Sequence, residues 1–340
     1  MAPALSLPRE SLLKKISTQS PLRPILTLLN GDNTWLISIP CPAPNPIGKA
    51  YIHLILDAWL TGPVTTPPSG WILHLTRIPT PSYGTVDAIC ALIADIEASA
   101  AGTTANSSTR RQLDGVLCTF NAADHMVQET MVQIDRSVPV FCVPEVEPVI
   151  TSWKHFDTIV RLPDFAPNAD TAWPQESIKH LPDWLSIFRL PDIHTPPGRI
   201  HYGVLLAFPA SAADSSRETI LYVPHGIEPS TVQSTWAARP KGTSMVAMLH
   251  GLSVTGIRVP GAHSLGVRSG LKVEGITRPK YWVRTHDDAQ SFRGALSWFF
   301  SYRSPTLEQG IAEEAAETGV VRERTSCFVE VENGMSFLAE

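Results

Sequence analysis

The segment GVLCTFNAADH, residues 115–125, joins an apolar run to an acidic residue and a histidine. A short apolar run that begins at a glycine and ends in polar residues is typical of a buried strand. Three later segments end in the same way: LYVPH (221–225), VAMLH (246–250) and WVRTH (282–286). Loops at the carboxyl ends of strands in an open α/β sheet converge on one crevice. We therefore expect these four strand-end histidines to lie near one another.

The order of the predicted elements favours two sheets over one. The β-rich runs 33–39 and 51–57 predict an antiparallel pair, which 71–75 would extend, and apolar residues at helical spacing predict a helix within 83–99. Later segments predict a hairpin (202–208 with 218–223), helices at 124–131, 148–155, 230–238, 287–300 and 308–317 (the last capped by Ser304-Pro305), and an edge strand at 326–331. Early strands that meander and later strands that alternate with helices predict an α/β fold with two mixed sheets and helices outside.

Composition sets the broad class of the protein. The 340 residues are 43% hydrophobic and 17% charged, which indicates a globular chain with a large core. A net charge of −5 without long blocks of one sign disfavours nucleic acid and acidic membrane surfaces as partners. Widely spaced cysteines and the lack of a long apolar stretch predict a cytoplasmic protein. No clear linker divides the chain, so we expect one domain over 1–340, with an N-terminal extension (1–27) and a C-terminal helix and edge strand (301–340).

The strand ends carry residue types that suit a metal ion. Neutral imidazoles and carboxylates are standard ligands of zinc and non-haem iron, and Asp124 and Asp287 stand beside two of the histidines. A strand-end histidine can equally be a hydrogen-bonded structural residue, an alternative that applies most strongly to His250. Asp124 or Asp287 can also cap a following helix. Lys280 lies on the same predicted strand as Arg284 and could hold an anionic group, or both could be solvated charges.

Four strings together resemble the metallo-β-lactamase superfamily, in particular a fungal branch related to the UlaG-like lactonases. They are NGDNTWLI (30–37), LDAWLTG (56–62), residues 114–130 and PKYWVRTHD (279–287). The resemblance covers about residues 28 to 300, and the pieces occur in the superfamily's order. It implies an αββα sandwich, with two mixed sheets facing each other and helices outside.

The resemblance also implies a reduced metal site. In that family the first catalytic loop reads His-x-His-x-Asp-His, and the equivalent residues here are FNAADH, 120–125. Phe120 and Ala122 stand in place of the two leading histidines, so the first metal position should be absent or badly weakened. Asp124 and His125 match the second position, His286 resembles the last histidine ligand, and His225 falls near the family's bridging aspartate. These four residues predict a site for at most one divalent ion, zinc, iron or manganese, although the site could also hold no metal.

Three functional hypotheses follow. The first is a metal-assisted hydrolase or lyase that acts on a small-molecule ester, lactone or thioester, with His250, Asp287, Lys280 and Phe120 around the substrate. The second is a metal-free enzyme in which histidines and Asp124 act as acid and base, and Phe120 lines a pocket for a hydrophobic metabolite. The third is a binding protein that has lost catalysis, because a fold does not guarantee activity.

Overall fold

The computed structural model describes residues 6–42, 48–65, 74–77, 79–103, 113–165, 173, 178–191, 200–210, 216–257, 264–287, 290–294 and 297–340. The helices are α1 (Arg9–Thr18), α2 (Val86–Ala101), α3 (Gln128–Met131), α4 (Glu147–Ser152), α5 (Pro229–Ala237), α6 (Gly266–Thr277) and α7 (Leu307–Thr318). The strands are β1 (Ile25–Leu28), β2 (Trp35–Pro40), β3 (Tyr51–Leu56), β4 (Val64–Thr65), β5 (His74–Arg77), β6 (Gly115–Cys118), β7 (Val140–Cys142), β8 (Ile159–Arg161), β9 (Ser186–Leu190), β10 (Gly203–Pro209), β11 (Arg217–Val223), β12 (Thr243–His250), β13 (Val254–Ile257), β14 (Tyr281–Arg284), β15 (Gln290–Arg293), β16 (Phe300–Arg303), β17 (Cys327–Val329) and β18 (Ser336–Leu338).

Two mixed sheets form the framework. The first has the order β18-β1-β2-β3-β6-β7-β8, and the second has the order β17-β14-β12-β11-β10-β9. In the first sheet β18, β1, β2 and β3 are antiparallel, whereas β3, β6, β7 and β8 are parallel. In the second sheet β17, β14, β12 and β11 are parallel, and β10 and β9 complete it antiparallel. The predicted α/β class with two mixed sheets is confirmed.

The main hydrophobic core lies between the two sheets. It combines buried side chains of the first sheet, such as Ile37 and Val116, with side chains of the second sheet, such as Leu206 and Val283. Alternate residues of the second sheet point the other way and pack with α5, α6 and α7 in a second core. Burying one such side chain fully contributes about 1.5–3 kcal/mol, so the facing sheets are held mainly by apolar contact.

Helix α2 covers the first sheet and shows how sequence sets the ends of a helix. The Thr85 side chain accepts a hydrogen bond from the Ala88 backbone N–H, and Gly102 ends the helix in the left-handed conformation that glycine adopts without strain. Ile89 and Ile93 are fully buried on the predicted apolar face. Glu97, on the same helix, accepts a hydrogen bond from the backbone N–H of Tyr51 in β3.

Several predicted strand pairings are confirmed, and the strands that lead to the predicted histidines have their carboxyl ends close to these residues. β2 pairs antiparallel with β3, and β10 pairs antiparallel with β11. The strands β11, β12 and β14 are parallel. β12 ends at His250, whereas β11 and β14 each end two residues before their histidine, His225 and His286. β6, in the facing sheet, leads to the loop that carries His125. The predicted edge strand is β17, at one end of the second sheet.

Other predicted elements differ from the structure. β5 does not extend the first sheet, because it pairs with β4 and β15 in a separate three-stranded sheet; residues 71–73 lie outside the described residues. The predicted helix 287–300 is wrong: the described residues there form β15, a 3-10 turn and the start of β16, whose strand partners override the local helical pattern.

Neither Asp124 nor Asp287 caps a helix, and the predicted cap of the acidic helix is wrong as well. α3 begins at Gln128, so Asp124 does not cap it, and Asp287 precedes a strand instead of a helix. The acidic helix α7 is capped by Thr306, whose side chain and that of Gln309 form a reciprocal capping box, and not by Ser304-Pro305. Asp124 and Asp287 are therefore free of the capping role that competed with a role in the site.

The terminal segments belong to the framework. β1 lies between β2 and β18 in the first sheet, and β18 comes from the end of the chain. Arg9 of α1 forms an ion pair with Asp95 of α2, which fixes the first helix against the body of the fold. Among the described helices, none combines the length and the apolar character needed to cross a bilayer.

A pair of glycines in α6 tests the packing of the second core. A methyl group at Gly270 would lie 2.3 Å from a Trp282 ring carbon, whereas at Gly275 it would meet only the far end of the Arg322 side chain. We expect Gly270→Ala to lower the free energy of unfolding by about 1–3 kcal/mol through overpacking. Gly275→Ala should leave it unchanged or raise it by up to about 1 kcal/mol, because alanine favours the helix. Urea unfolding compares them, and equal effects would contradict this packing.

Candidate metal centre

Three of the predicted histidines form a cluster where the two sheets meet. His125, His225 and His286 each offer a ring nitrogen, and these three atoms lie within 4.8 Å of one another. Their ring centroids are separated by 5.0 Å (His125 and His225), 5.1 Å (His125 and His286) and 4.9 Å (His225 and His286). The predicted meeting of these histidines, which are far apart in the chain, is confirmed.

His125 is fixed by a buried carboxylate. Its Nδ1 lies 2.7 Å from an oxygen of Asp57, which also accepts hydrogen bonds from the backbone and the hydroxyl of Thr119. A carboxylate only accepts hydrogen bonds, so Nδ1 of His125 carries the proton and Nε2 carries the lone pair. That Nε2 atom is buried and has no hydrogen-bond partner among the described residues.

His286 is fixed in a similar way by the loop between β1 and β2. Its Nδ1 lies 3.0 Å from Asp32, and its backbone N–H donates to the Asp32 carbonyl oxygen. The backbone of His286 has a φ of 56°, an unusual conformation for a side chain of this size and one that is concentrated at functional sites. Burial alone lowers the pKa of His286, but the charges of Asp32, Asp124 and Asp287 and the hydrogen bond to Asp32 outweigh it and raise this pKa to about 9.

His225 enters the cluster from the second sheet through a sharp turn. Gly226 follows it with a φ of 83°, and a Cβ atom there would lie 2.7 Å from the Cβ of Leu265, so only glycine fits without strain. Burial, together with the neighbouring His286, His125 and His201, holds the pKa of His225 well below its ordinary value. Nδ1 of His225 is buried without a hydrogen-bond partner among the described residues.

Asp124 lies beside the cluster. One of its carboxylate oxygens is 3.8 Å from Nε2 of His125 and 3.6 Å from Nε2 of His286. Its backbone carbonyl accepts a 2.8 Å hydrogen bond from the side chain of Asn33, so the β1–β2 loop holds this residue as well. The structure thus brings together all four residues predicted as ligands or catalytic groups.

Phe120 closes one side of the cluster. Its ring stacks on Tyr202 with centroids 4.2 Å apart, and it packs edge-to-face with the ring of His225 with centroids 4.5 Å apart. Arg189, which forms ion pairs with Asp164 and Glu145, lies over the ring of Tyr202, with its guanidinium carbon 5.2 Å from the ring centroid. Phe120 is 1% exposed, so its ring fills space beside the histidines and is not an open pocket wall.

The residues present fit one divalent cation. Three imidazoles and a carboxylate are the donor set that zinc, iron and manganese accept. Leaving a buried polar atom without a partner costs about 1–3 kcal/mol. Nε2 of His125 and Nδ1 of His225 both carry this cost, which a metal ion would remove by taking a lone pair. Asp57 and Asp32 supply the second layer of carboxylates that typically orients metal-binding histidines.

Several solved structures share the fold of this chain. A possible metal-dependent hydrolase from Veillonella parvula aligns with a TM-score of 0.53 and 11% identity, over 93% of this chain and 99% of that one. The isothiocyanate hydrolase from Delia radicum gut bacteria aligns with a TM-score of 0.51 and 11% identity, over 93% and 100%. The diiron β-hydroxylase CmlA from Streptomyces venezuelae aligns with a TM-score of 0.51 and 12% identity, over 94% of this chain and 55% of its own.

The chain has the metallo-β-lactamase fold. No protein-family model matches the sequence, and a comparison with curated proteins finds no match. At these identities the likeness of the metallo-β-lactamase fold concerns architecture alone. The predicted αββα sandwich is confirmed, while the UlaG-like branch stays a prediction.

Three residues predicted around the substrate have other roles in this metallo-β-lactamase fold. Lys280 is exposed and precedes β14, whereas His286 follows the far end of that strand, so Lys280 lies at the opposite edge of the sheet. The buried carboxylate of Asp287 accepts hydrogen bonds from the backbones of Leu252 and Ser253, which ties down the segment after β12.

His250 is also a structural residue. Its Nδ1 donates to the Gly251 carbonyl oxygen at 2.6 Å, and its ring contacts Trp282 instead of the histidine cluster. Burial lowers the pKa of His250 to about 4, although the hydrogen bond to Gly251 opposes the shift. The shared strand-end pattern could not distinguish His250 from the other three, because a strand end can face either side of its sheet.

The sequence interpretation missed the two carboxylates that orient the cluster. Asp57 follows β3 and has a φ of 49°, and it is completely buried, as its position at the carboxyl end of an inner strand suggests. The same strand-end rule that selected the histidines would have found it. Asp32, in the loop between β1 and β2, carries no such signal, because nothing in the sequence links that loop to His286.

Removing the charge of Asp32 tests the electrostatics of His286. A histidine whose pKa is raised on folding stabilises the protein fully below its unfolded value near 6.5, and this stabilisation disappears as the pH rises through about 9. In chelator-treated protein, Asp32→Asn should lower the pKa of His286 and reduce this decline in stability between pH 6.5 and 9. NMR titration of the ring protons and unfolding at several pH values measure both effects. An unchanged pKa would show that Asp32 does not carry the shift.

Proposed function

We propose that this chain is a metal-assisted hydrolase whose single divalent cation is held by His125, His225 and His286, with Asp124 as a fourth ligand or proton acceptor. The observation that carries the proposal is the convergence of three imidazoles that include two buried ring nitrogens without hydrogen-bond partners. Water and protein donors would normally satisfy such atoms. A cation at their meeting point satisfies them together.

Phe120 supports a site with one metal ion. In the resemblance described above, the residues at 120 and 122 would be the two histidines of a further metal position, and Phe120 and Ala122 have no ligand atoms. The Phe120 ring fills the space next to His125 and His225 and is itself held by the stack with Tyr202. The side chains on this side of the cluster therefore favour apolar packing over a second ion.

The residues around the histidine cluster have different roles in the proposed hydrolysis. When bound, a divalent cation lowers the pKa of a coordinated water to near 7 and polarises a carbonyl group. Asp57 and Asp32 hold His125 and His286 through Nδ1, which directs both Nε2 atoms toward Asp124. Asp124 keeps 15% of its side chain exposed, so it is the acid of this group that can exchange a proton with an entering substrate.

We further propose a small-molecule substrate with an electrophilic carbon, such as an ester, lactone or thioester, and lyase chemistry on such a substrate remains within this proposal. The similarity of fold to a possible metal-dependent hydrolase and to an isothiocyanate hydrolase supports this class. The cytoplasmic location and the exclusion of nucleic acid and membranes as partners stay predictions from composition.

A metal-free acid and base mechanism is the second candidate. The raised pKa of His286, about 9, makes it a cation at neutral pH, while His225 with its lowered pKa stays neutral, and their rings are 4.9 Å apart. A charged and a neutral imidazole side by side form an acid and a base. Turnover that persists after complete removal of metal would favour this candidate. A protein without turnover in either state would be the binding protein of the third hypothesis.

Metal content tests the main proposal directly. Protein purified without chelators should contain about one divalent ion per chain, as expected for a site with three or four protein ligands. His225→Ala and His286→Ala should lose it, because each removes one imidazole from the cluster. His180→Asn is the matched control, since His180 is exposed and asparagine tolerates its φ of 75°. Elemental analysis reads out all three variants, and a metal-free parent protein would refute the proposal.

Asp57 orients His125 and should therefore affect the affinity of the site for the metal ion, although it is not one of the proposed ligands. Asp57→Asn keeps the shape of the side chain and tolerates the φ of 49°, but it removes the negative charge and leaves one acceptor oxygen for the donors of Thr119 and His125, which now occupy both oxygens. Loss of such a partner typically weakens metal binding by about 10- to 100-fold. Competition with a chromogenic chelator measures the dissociation constant for zinc. An unchanged constant would exclude this role for Asp57.

A further inference from the structure

The loop between β1 and β2 carries a buried network of polar side chains. Its residues 30–34 have the sequence NGDNT, and the side chains of Asn30, Asn33 and Thr34 are completely buried. Polar groups that leave water destabilise the folded state unless hydrogen bonds satisfy them. The hydrogen bonds of these residues therefore show what the loop holds in place.

Asn30 closes the loop with its side chain. Its Oδ1 accepts hydrogen bonds from the backbone N–H groups of Asp32 at 2.9 Å and Thr34 at 3.0 Å. Because both of these groups are donors, the amide oxygen must face them and Nδ2 must face the other way. Nδ2 lies 2.8 Å from the Thr34 hydroxyl and 3.0 Å from the carbonyl oxygen of Trp59. One side chain thus joins the loop to the segment that follows β3.

The Thr34 hydroxyl continues this network to Asp57. It accepts hydrogen bonds from Nδ2 of Asn30 and from the backbone N–H of Trp59. Its single hydrogen is then donated to the carbonyl oxygen of Asp57, 2.6 Å away. Asp57 has a φ of 49°, and such a conformation persists only where neighbouring groups hold it. By holding this backbone, Thr34 also holds the carboxylate that orients His125.

A second branch of the network runs from Asn30 to His286. Asn30 holds the backbone N–H of Asp32, whose carboxylate lies 3.0 Å from Nδ1 of His286 and whose carbonyl oxygen accepts from the His286 N–H. Asn33 lies between the two branches. Its Oδ1 is 3.2 Å from Nδ2 of Asn30, and its own Nδ2 donates to the carbonyl oxygen of Asp124. The carboxamide of Asn30 is therefore the point from which both branches start.

We propose that Asn30 is a positioning residue of the metal centre. Its carboxamide fixes the β1–β2 loop in the shape that brings each orienting carboxylate to its histidine, Asp32 to His286 and Asp57 to His125. Because the two branches share this one group, its loss is felt at both histidines. The effect on the histidine rings is independent of a bound metal, whereas its consequence for metal affinity rests on the proposed function.

The ring N–H signals of the two histidines test this role. In chelator-treated protein, Nδ1–H of His125 and of His286 each donates to its carboxylate, so the ¹H–¹⁵N NMR signal of each shifts when that hydrogen bond changes. Asn30→Ala should shift both signals and weaken zinc binding by about 10-fold or more. Thr34→Val keeps the size of the side chain but loses the hydroxyl, so it should shift mainly the His125 signal. Thr34→Ser keeps the hydroxyl and should match the parent protein.

Thr27→Val is the matched control. Thr27 is also completely buried, and its hydroxyl lies 2.8 Å from the hydroxyl of Ser336 in β18. This substitution removes a buried, hydrogen-bonded hydroxyl, as Thr34→Val does, and should shift neither histidine signal. If Asn30 and Thr34 only stabilise the fold, their variants should unfold at lower urea concentrations with unchanged ring signals, and that result would overturn the proposal.

Two further outcomes decide the assignment. If Asn30→Ala does not fold, the Thr34 variants carry the test, and equal His125 signals in Thr34→Val and Thr34→Ser would overturn the proposal. Competition with a chromogenic chelator measures zinc affinity separately from the ring signals. A parent protein that binds no zinc would refute the proposed function, while the signals of the metal-free variants still decide whether Asn30 positions the two histidines.

Discussion

The buried carboxylate of Asp57 is the constraint around which the site is organised. A carboxylate without solvent persists only when hydrogen bonds replace its water, and Asp57 obtains them from the backbone and hydroxyl of Thr119 and from Nδ1 of His125. Both donor residues lie in the segment that follows β6, whereas Asp57 follows the neighbouring strand β3. Satisfying one carboxylate therefore fixes the loop that carries His125 against the end of β3.

Asp32 repeats the arrangement on the opposite side of the cluster. It binds His286 through both its side chain and its backbone carbonyl, and the neighbouring Asn33 holds Asp124. The loop between the first two strands thus controls two candidate ligands that lie far from it in the chain. The unusual backbone conformations of Asp57 and His286 fit this picture, because strained residues persist only where their surroundings hold them.

The rings of Phe120 and Tyr202 make the surroundings of the histidine cluster chemically unequal. Phe120 packs against His125 and His225 and stacks on Tyr202, and Arg189, which is held by two carboxylates, lies over the Tyr202 ring. Asp124 lies beside His125 and His286 instead. A cation held by the three histidines would therefore meet a carboxylate at Asp124 and an apolar ring at Phe120, which supports the proposed single-ion centre.

The sequence by itself determined the α/β class and most strand positions, and it selected His125, His225 and His286 as strand-end residues. It could do so because apolar runs and the residues that end them are local features. It could not exclude His250 or Lys280, or locate Asp32, because the side of a sheet that a strand end faces is decided by its neighbours. The segment 287–300 shows the same limit, since strand partners distant in sequence gave it β-structure in place of the predicted helix. Only the tertiary structure decided which acids meet which histidines, because that pairing depends on the packing of one sheet against the other.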